Sequence, residues 1–342
     1  MHTNHSGDIL ALIRSIRKAA ITVHQGPDGD AVGSALAWAA ILRKLNVEAH
    51  IIAPDAMPDF LLWMPGAHSV ITYDKNETEG KAAIRAAEAI FCLDFNAPDR
   101  LSHAEQAVKD AELPITVIDH HRFPTAFAKY YYIDDSASST AELVYRIVVE
   151  MGLEALLDKD IATCLYTGIA TDTGSFRFPS VTPAVMRIAA HLMELGVDHS
   201  RVHIELFDNN TEDMTRLRGY ALSEKLVVLP QASTAYISLS EQELRRFNFK
   251  KGYTEGLVNQ ALAIKGVHLA ALFTEGDGLI KISLRSHGSV DVNAMARAHF
   301  NGGGHVNAAG GRSRETMAAV VKRFEAVATV MKDQIANALC AS

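Results

Sequence analysis

The chain has 342 residues, 48% hydrophobic and 21% charged, with a net charge of −7. Its length favours two domains over one, each with a sizeable core. The modest charge excludes a nonspecific coat on long duplex nucleic acid but leaves room for a local basic pocket that takes a small anion.

No apolar run reaches the roughly 18–20 residues that cross a bilayer, and residues 1–7 lack the hydrophobic segment of a secretory signal. Cys92, Cys164 and Cys340 are too few and too scattered for a disulfide framework or a thiolate metal site. Cys92 and Cys164 sit in apolar runs and read as core residues. The expected setting is a reducing cytoplasm, without a membrane partner.

In chain order, His2 and His5 fall in a polar stretch expected to be a disordered tail. Residues 20–23 read as a buried strand ending at His24 and the turn Gly26-Pro27-Asp28-Gly29-Asp30. An Ala/Leu-rich helix over 31–45 and a strand over 47–52 follow. Residues 90–93 and 115–118 are two further buried strands, ending at Asp94 and at Asp119-His120-His121. Ser138-Ser139-Thr140 caps a helix running to 149, with Glu142 placed to answer Ser139 in a capping box. Helices over 158–171 and 182–195 flank the turn Asp172-Thr173-Gly174-Ser175-Phe176. This alternation predicts a doubly wound, mostly parallel-sheet α/β domain over residues 1–195.

Residues 196–218 read as a partly helical linker, with His199 and His203 on its surface. A smaller α/β domain over 219–342 follows. Its expected strands are 226–229, 235–239, 268–274 and 279–284; its expected helices are 240–247, 255–264, 292–300 and 315–338. The stretch from Arg245 to Tyr253 mixes basic and aromatic residues and reads as a solvated helix end.

Taken singly, the acidic and imidazole residues at these strand ends are turn or cap residues. Together they form a pattern, because chemistry in open α/β sheets collects beyond the carboxyl ends of the strands. So many carboxylates share a small site only if cations neutralise them. His24 and Asp28 can face one ion, while Asp30 can reach a neighbouring one. Asp94 can bridge two cations, and Asp172 completes the second set. Adjacent histidines in an extended segment point in opposite directions, so the two should not both bind the same ion; His120 is assigned as the ligand and His121 as the group facing substrate. Asp119 orients an imidazole without touching an ion. Mixed imidazole and carboxylate donors suit two divalent cations of the Mn²⁺ type, with Co²⁺, Fe²⁺ and Zn²⁺ as alternatives.

The residues His24-x-x-x-Asp28-x-Asp30 with Gly33-Ser34, Asp94, Asp119-His120-His121, Asp172-Thr173-Gly174, Arg285-Ser286 and Gly302-Gly303-Gly304-His305 resemble the DHH phosphoesterase family. The subfamily is DHH–DHHA1, and the resemblance spans nearly the whole chain. Size and domain plan are similar to its bifunctional nanoRNase and adenosine 3′,5′-bisphosphate (pAp) phosphatases. The resemblance implies one metal held by His24, Asp28 and Asp94, and a second held by Asp30, Asp94, His120 and Asp172. It also implies an active site in the cleft between the two domains.

In the second domain, Gly302, Gly303 and Gly304 could bring backbone N–H groups to an oxyanion. Arg285 could grip a terminal phosphate through two parallel hydrogen bonds, with Ser286 and His305 adding donors. The expected partners are short RNA oligonucleotides or small nucleotides, cleaved by a two-metal-activated water. A homodimer is compatible with the sequence. Three alternatives stand beside this: linear dinucleotides such as pApA and pGpG as substrates, a manganese inorganic pyrophosphatase, and a nucleotide sensor that binds without cleaving. The glycine–His turn speaks against the pyrophosphatase.

Overall fold

A computed structural model describes residues 2–336, and its contacts divide the chain into two units, Met1–Asn209 and Asn210–Ser342. Cys340 and the end of the helix expected over 315–338 lie outside the described residues.

The first unit is built on seven strands: β1 (His2–Asn4), β2 (Lys18–Thr22), β3 (Glu48–Ala53), β4 (Ile71–Thr72), β5 (Ala89–Leu93), β6 (Ile115–Asp119) and β7 (Tyr130–Asp134). Their order is β1-β7-β6-β5-β2-β3-β4, parallel throughout except for β1 on β7. The central strands alternate between two buried faces. Ala19, Ile21, Phe91 and Leu93 pack with Trp38, Leu143 and Leu165 on one side. Ala20, Ile90, Cys92 and Val117 pack with Ile84 and Val108 on the other. Burial of both faces is why these strands read as continuous apolar runs, and it is the mark of a doubly wound sheet.

From β2 the chain winds out to β3 and β4, and from β5 it winds the other way to β6 and β7. The order therefore reverses between β2 and β5, and the crevice beyond their carboxyl ends is the switch point where α/β folds bind ligands.

Three helices cover that end: Gly29–Lys44, Thr140–Glu150 and Lys159–Asp172. Glycine lets the first and third approach closely. A Cβ on Gly33 would lie 2.5 Å from the Cys164 carbonyl oxygen, and one on Gly29 would lie 2.4 Å from Thr171 Cγ2. Thr140–Glu150 starts as its sequence predicts, with the Ser139 side chain accepting from Glu142 N–H. The Glu142 carboxylate, however, accepts from Ser138 N–H at 2.6 Å rather than from Ser139.

The expected disordered tail is instead ordered. Residues His2–Asn4 extend the sheet antiparallel to β7. His5 N–H donates to Tyr131 O at 3.1 Å, and His5 Nδ1 accepts from Tyr131 N–H at 2.9 Å. These bonds satisfy an otherwise open sheet edge. The stretch expected as a linker carries two helices. His199–Phe207 buries Val202 in the first unit's core, and Glu212–Glu224 buries Leu217 in the second's.

The second unit has β8 (Leu226–Leu229), β9 (Thr234–Leu239), β10 (Leu269–Gly276), β11 (Leu279–Ser286), β12 (Gly303–Gly304) and β13 (Ala308–Ser313). Their order is β12-β13-β11-β10-β9-β8, with only the β9–β10 pair parallel. Helix Glu241–Arg246 opens with a full capping box from Ser240 and Glu243. At its other end Arg246 stands over the Tyr220 ring, 5.5 Å from its centroid. The last helical stretch is broken at Met331, giving Met317–Val330 and Lys332–Ala336. No helix among the described residues is long and apolar enough to cross a membrane.

Candidate metal centre

Each strand flanking the switch point delivers a polar side chain just past its end. His24 follows β2, Asp94 follows β5, and Asp119 ends β6 with His120 behind it. Asp94 takes φ 66°, a left-handed turn that aspartate tolerates better than most residues. It is therefore not a helix cap. Asp28 is one: its Oδ1 accepts from Asp30 and Ala31 N–H at 3.0 and 3.1 Å, leaving Oδ2 to face His24.

Two groups of donor atoms result. In the first, His24 Nε2 lies 3.5 Å from Asp94 Oδ2 and 3.9 Å from Asp28 Oδ2. In the second, His120 Nε2 lies 3.4 Å from Asp172 Oδ2, 3.5 Å from Asp94 Oδ1 and 3.7 Å from Asp30 Oδ2. The donor atoms of His24, Asp28 and Asp94 all lie within 4.8 Å of one another, as do those of Asp30, His120 and Asp172, so each set could hold a metal ion. Asp94 presents one oxygen to each group.

The imidazoles are oriented for this. His24 Nδ1–H donates to the Gln25 carbonyl at 2.9 Å and His120 Nδ1–H to the Ala137 carbonyl at 3.3 Å, which turns both Nε2 atoms toward the carboxylates. Asp30 is pinned by the start of helix Thr140–Glu150: Thr140 N–H donates to Oδ2 at 2.6 Å and Ala141 N–H to Oδ1 at 2.8 Å. The Thr140 hydroxyl donates to Asp94 Oδ1 at 2.9 Å. Sequence reading found the cap at Ser139 but missed Thr140 as a support for two acidic side chains. Its only signal was that the residue opens a helix, whose N–H groups need acceptors.

The electrostatics call for a cation. Burial, then Asp94 and Asp172, raise the Asp30 carboxyl well above its ordinary range. Burial raises Asp172, His120 pulls it back, and Asp28 and Asp94 push it up again, leaving it at about 6. Burial opposes charge on Asp94 as well, but His120 and His24 outweigh it and hold that carboxyl well below the usual range. Burial likewise opposes charge on His120, yet Asp94 and Asp172 raise it well above an ordinary imidazole. Asp172 also ends its helix, where a negative charge meets the negative end of the helix dipole. Only positive charge between these groups lets all the carboxylates ionise together. The mixed nitrogen and oxygen donors suit Mn²⁺ or a similar first-row ion.

His121 departs from the alternation expected of neighbouring strand residues. Its ring sits 4.9 Å from that of His120, and its Nδ1 lies 3.7 Å from Asp94 Oδ1, the same oxygen His120 faces. The reason is that β6 stops at Asp119, so the two-residue period no longer applies. Asp119, fully buried, accepts from His121 Nδ1–H at 2.7 Å.

Residues 18–169 match the N-terminal domain of the DHH family, and residues 233–337 match the DHHA1 domain. Over 85% of its length the chain is 30% identical to the bifunctional oligoribonuclease and PAP phosphatase NrnA of Thermus thermophilus, covering 82% of that protein. The chain belongs to the DHH family. It is also 29% identical to the Bacillus subtilis protein of the same name, over 84% of this chain and 86% of that one. Among solved structures it resembles an exopolyphosphatase-related protein from Bacteroides fragilis, with a TM-score of 0.92, 36% identity and 97% of both chains covered.

In the DHHA1 unit the glycine run has a packing role. A Cβ on Gly302 would lie 1.9 Å from Gly310 O, and Gly304, at φ 146°, would meet Ala308 O at 2.5 Å. Gly302 N–H donates to Ala296 O at 3.2 Å, Gly304 N–H to Asn293 Oδ1 at 3.1 Å, and His305 N–H to Ala308 O at 2.7 Å. These amides are engaged inside the protein. Ser286 is engaged too: it donates its hydroxyl to Val290 O at 2.6 Å and accepts from Asn307 Nδ2 at 2.9 Å. The glycines and Ser286 thus build the loop between β11 and β13. Asn293 and Asn307, which fasten that loop, carry no motif that sequence reading could have caught.

Proposed function

We propose that this chain is a metal-dependent phosphoesterase that hydrolyses short oligoribonucleotides to mononucleotides and pAp to AMP. One observation carries the reading: Asp94 turns one carboxylate oxygen to His24 and the other to His120, each at 3.5 Å. In this reading His24, Asp28 and Asp94 hold one divalent cation, and Asp30, Asp94, His120 and Asp172 hold the second. Two Mn²⁺ ions, when bound, supply Lewis-acid stabilisation of phosphoryl oxygens and lower the pKa of water.

The protein's own groups do the rest. Asp119 accepts the Nδ1–H of His121 and orients the ring, so that in the protonated imidazolium Nε2–H can donate to a phosphoryl oxygen and pass its proton to the leaving oxygen. Arg285, on β11, and His305, on the loop framed by Ser286, Gly302, Gly303 and Gly304, take a phosphate of the substrate. The names of the Bacillus and Thermus relatives support the same substrate classes.

The test is a panel of 5′-phosphorylated RNAs from two to about ten nucleotides, with pAp, pApA, pGpG and pyrophosphate, each incubated with the protein and Mn²⁺. Mononucleotides from the shortest RNAs and AMP from pAp are expected. Turnover confined to pyrophosphate, or nucleotide binding without turnover, would overturn the reading.

A further inference from the structure

His203 falls in the stretch expected as linker surface, and the structure gives it a different place. It sits on helix His199–Phe207 of the first unit, where its Nδ1–H donates to His199 O at 2.8 Å. That bond leaves Nε2 as an acceptor, and the Ser175 hydroxyl donates to it at 3.0 Å. The ring packs among Phe207, Tyr166 and Phe176, with centroids 5.7, 6.0 and 6.5 Å away.

Ser175 is the middle of a strained turn. Gly174, Ser175 and Phe176 have φ of 56°, 62° and 60°, three successive left-handed residues of which two bear side chains that disfavour the conformation. The turn starts two residues after Asp172, the last residue of helix Lys159–Asp172. Ser175 N–H donates back to Ala170 O at 2.7 Å, and Phe178 N–H to Thr173 O at 3.1 Å, so the turn is tied to the helix end that carries the acidic side chain. Such a conformation persists only where its surroundings over-determine it. The Ser175–His203 bond brings that determination from a separate helix, 28 residues further along the chain.

We propose that His203 is a positioning residue: by accepting the Ser175 hydroxyl it locks the left-handed turn that sets Asp172 against His120 and Asp30. The inference rests on the reading above, in which those three side chains hold a cation. It assigns the helix at the end of the first unit a part in building the metal centre.

The test is Mn²⁺ titration by calorimetry and electron spin resonance on the full chain and on His203→Phe, His203→Gln and Ser175→Ala. Phenylalanine keeps a ring in the aromatic cluster but cannot accept a hydrogen bond; glutamine keeps an acceptor oxygen. His203→Phe and Ser175→Ala should each weaken one of two Mn²⁺ sites by about tenfold, the scale for partners lying outside the ligands. The other site and the thermal midpoint should stay close to wild type, the double variant should be no worse than either single one, and His203→Gln should recover most of the affinity. Wild-type Mn²⁺ binding in both single variants would overturn the inference. So would an equal loss at both sites in step with a lower midpoint, or no recovery with glutamine. A wild-type protein that takes up no Mn²⁺ would sink the metal reading itself, and this inference with it.

Discussion

Thr140 donates its hydroxyl to Asp94 Oδ1 at 2.9 Å while its backbone N–H donates to Asp30 Oδ2 at 2.6 Å, so one helix-opening residue steadies two of the acidic side chains in the proposed metal centre. The two bonds can be separated. Thr140→Val removes the first and leaves the second in place. It should weaken Mn²⁺ binding at least about tenfold, as loss of a hydrogen bond to a ligand commonly does. Thr140→Ser should bind nearly as wild type in the same calorimetric titration.

His121 is the group expected to act on substrate rather than to hold metal. His121→Ala should lower turnover of short RNA by about 10²–10⁴-fold, the range for losing a general acid, while Mn²⁺ binding stays intact by calorimetry. Loss of the metals in that variant would make His121 a ligand and remove its assigned role.

The charge of Asp172 makes a prediction for protein stripped of metal. Its carboxyl sits at about 6 in the folded chain against 3.8 for an unperturbed group. Between those values the folded state holds a proton that the unfolded state has lost, so stability falls as pH rises through that window. The contribution is roughly 1–3 kcal/mol. Asp172→Asn should remove it. In chelator, the variant should be more stable than wild type at pH 7 and equal to it near pH 4, by urea midpoints. In Mn²⁺ the order at pH 7 should reverse, because asparagine cannot complete the second site.

Gly33 sets the distance between the helices that carry Asp30 and Asp172. Helix propensity favours alanine there by about 1 kcal/mol, but its Cβ would meet Cys164 O at 2.5 Å and Gly168 N at 3.0 Å. Backbone atoms cannot move aside cheaply, and overpacking costs about 1–3 kcal/mol. Gly33→Ala should therefore lower the thermal midpoint and weaken Mn²⁺ binding. Gly219 is the control: it lies in helix Glu212–Glu224, with nothing within 4 Å of an added Cβ. Gly219→Ala should raise the midpoint, by about 0.5–1 kcal/mol of stability.

Much of the centre could be read from the chain because its parts are local. An apolar run that stops at His24, Asp94 or Asp119 marks a strand end whatever surrounds it, and Ser139, Asp158 and Thr182 cap helices through bonds that span three residues. What could not be read is where neighbouring groups turn once the strand is over. His120 and His121 share an acceptor because β6 ends before them, and Ser286 spends its hydroxyl on Val290 because the chain folds back there.

By itself, then, the sequence determined the alternating α/β elements, the identity of the acidic and imidazole side chains, and the strand ends that carry them. Hydrophobic period and capping act over a few residues and need no distant partner. Only the tertiary structure decided that Asp94 faces two donor groups, that the N-terminal residues complete a sheet edge, and that Thr140 supports Asp30 across 110 positions of chain. Asp94 meets both groups where strand order reverses between β2 and β5. That reversal is a property of how segments pair, and no run of neighbouring residues records it.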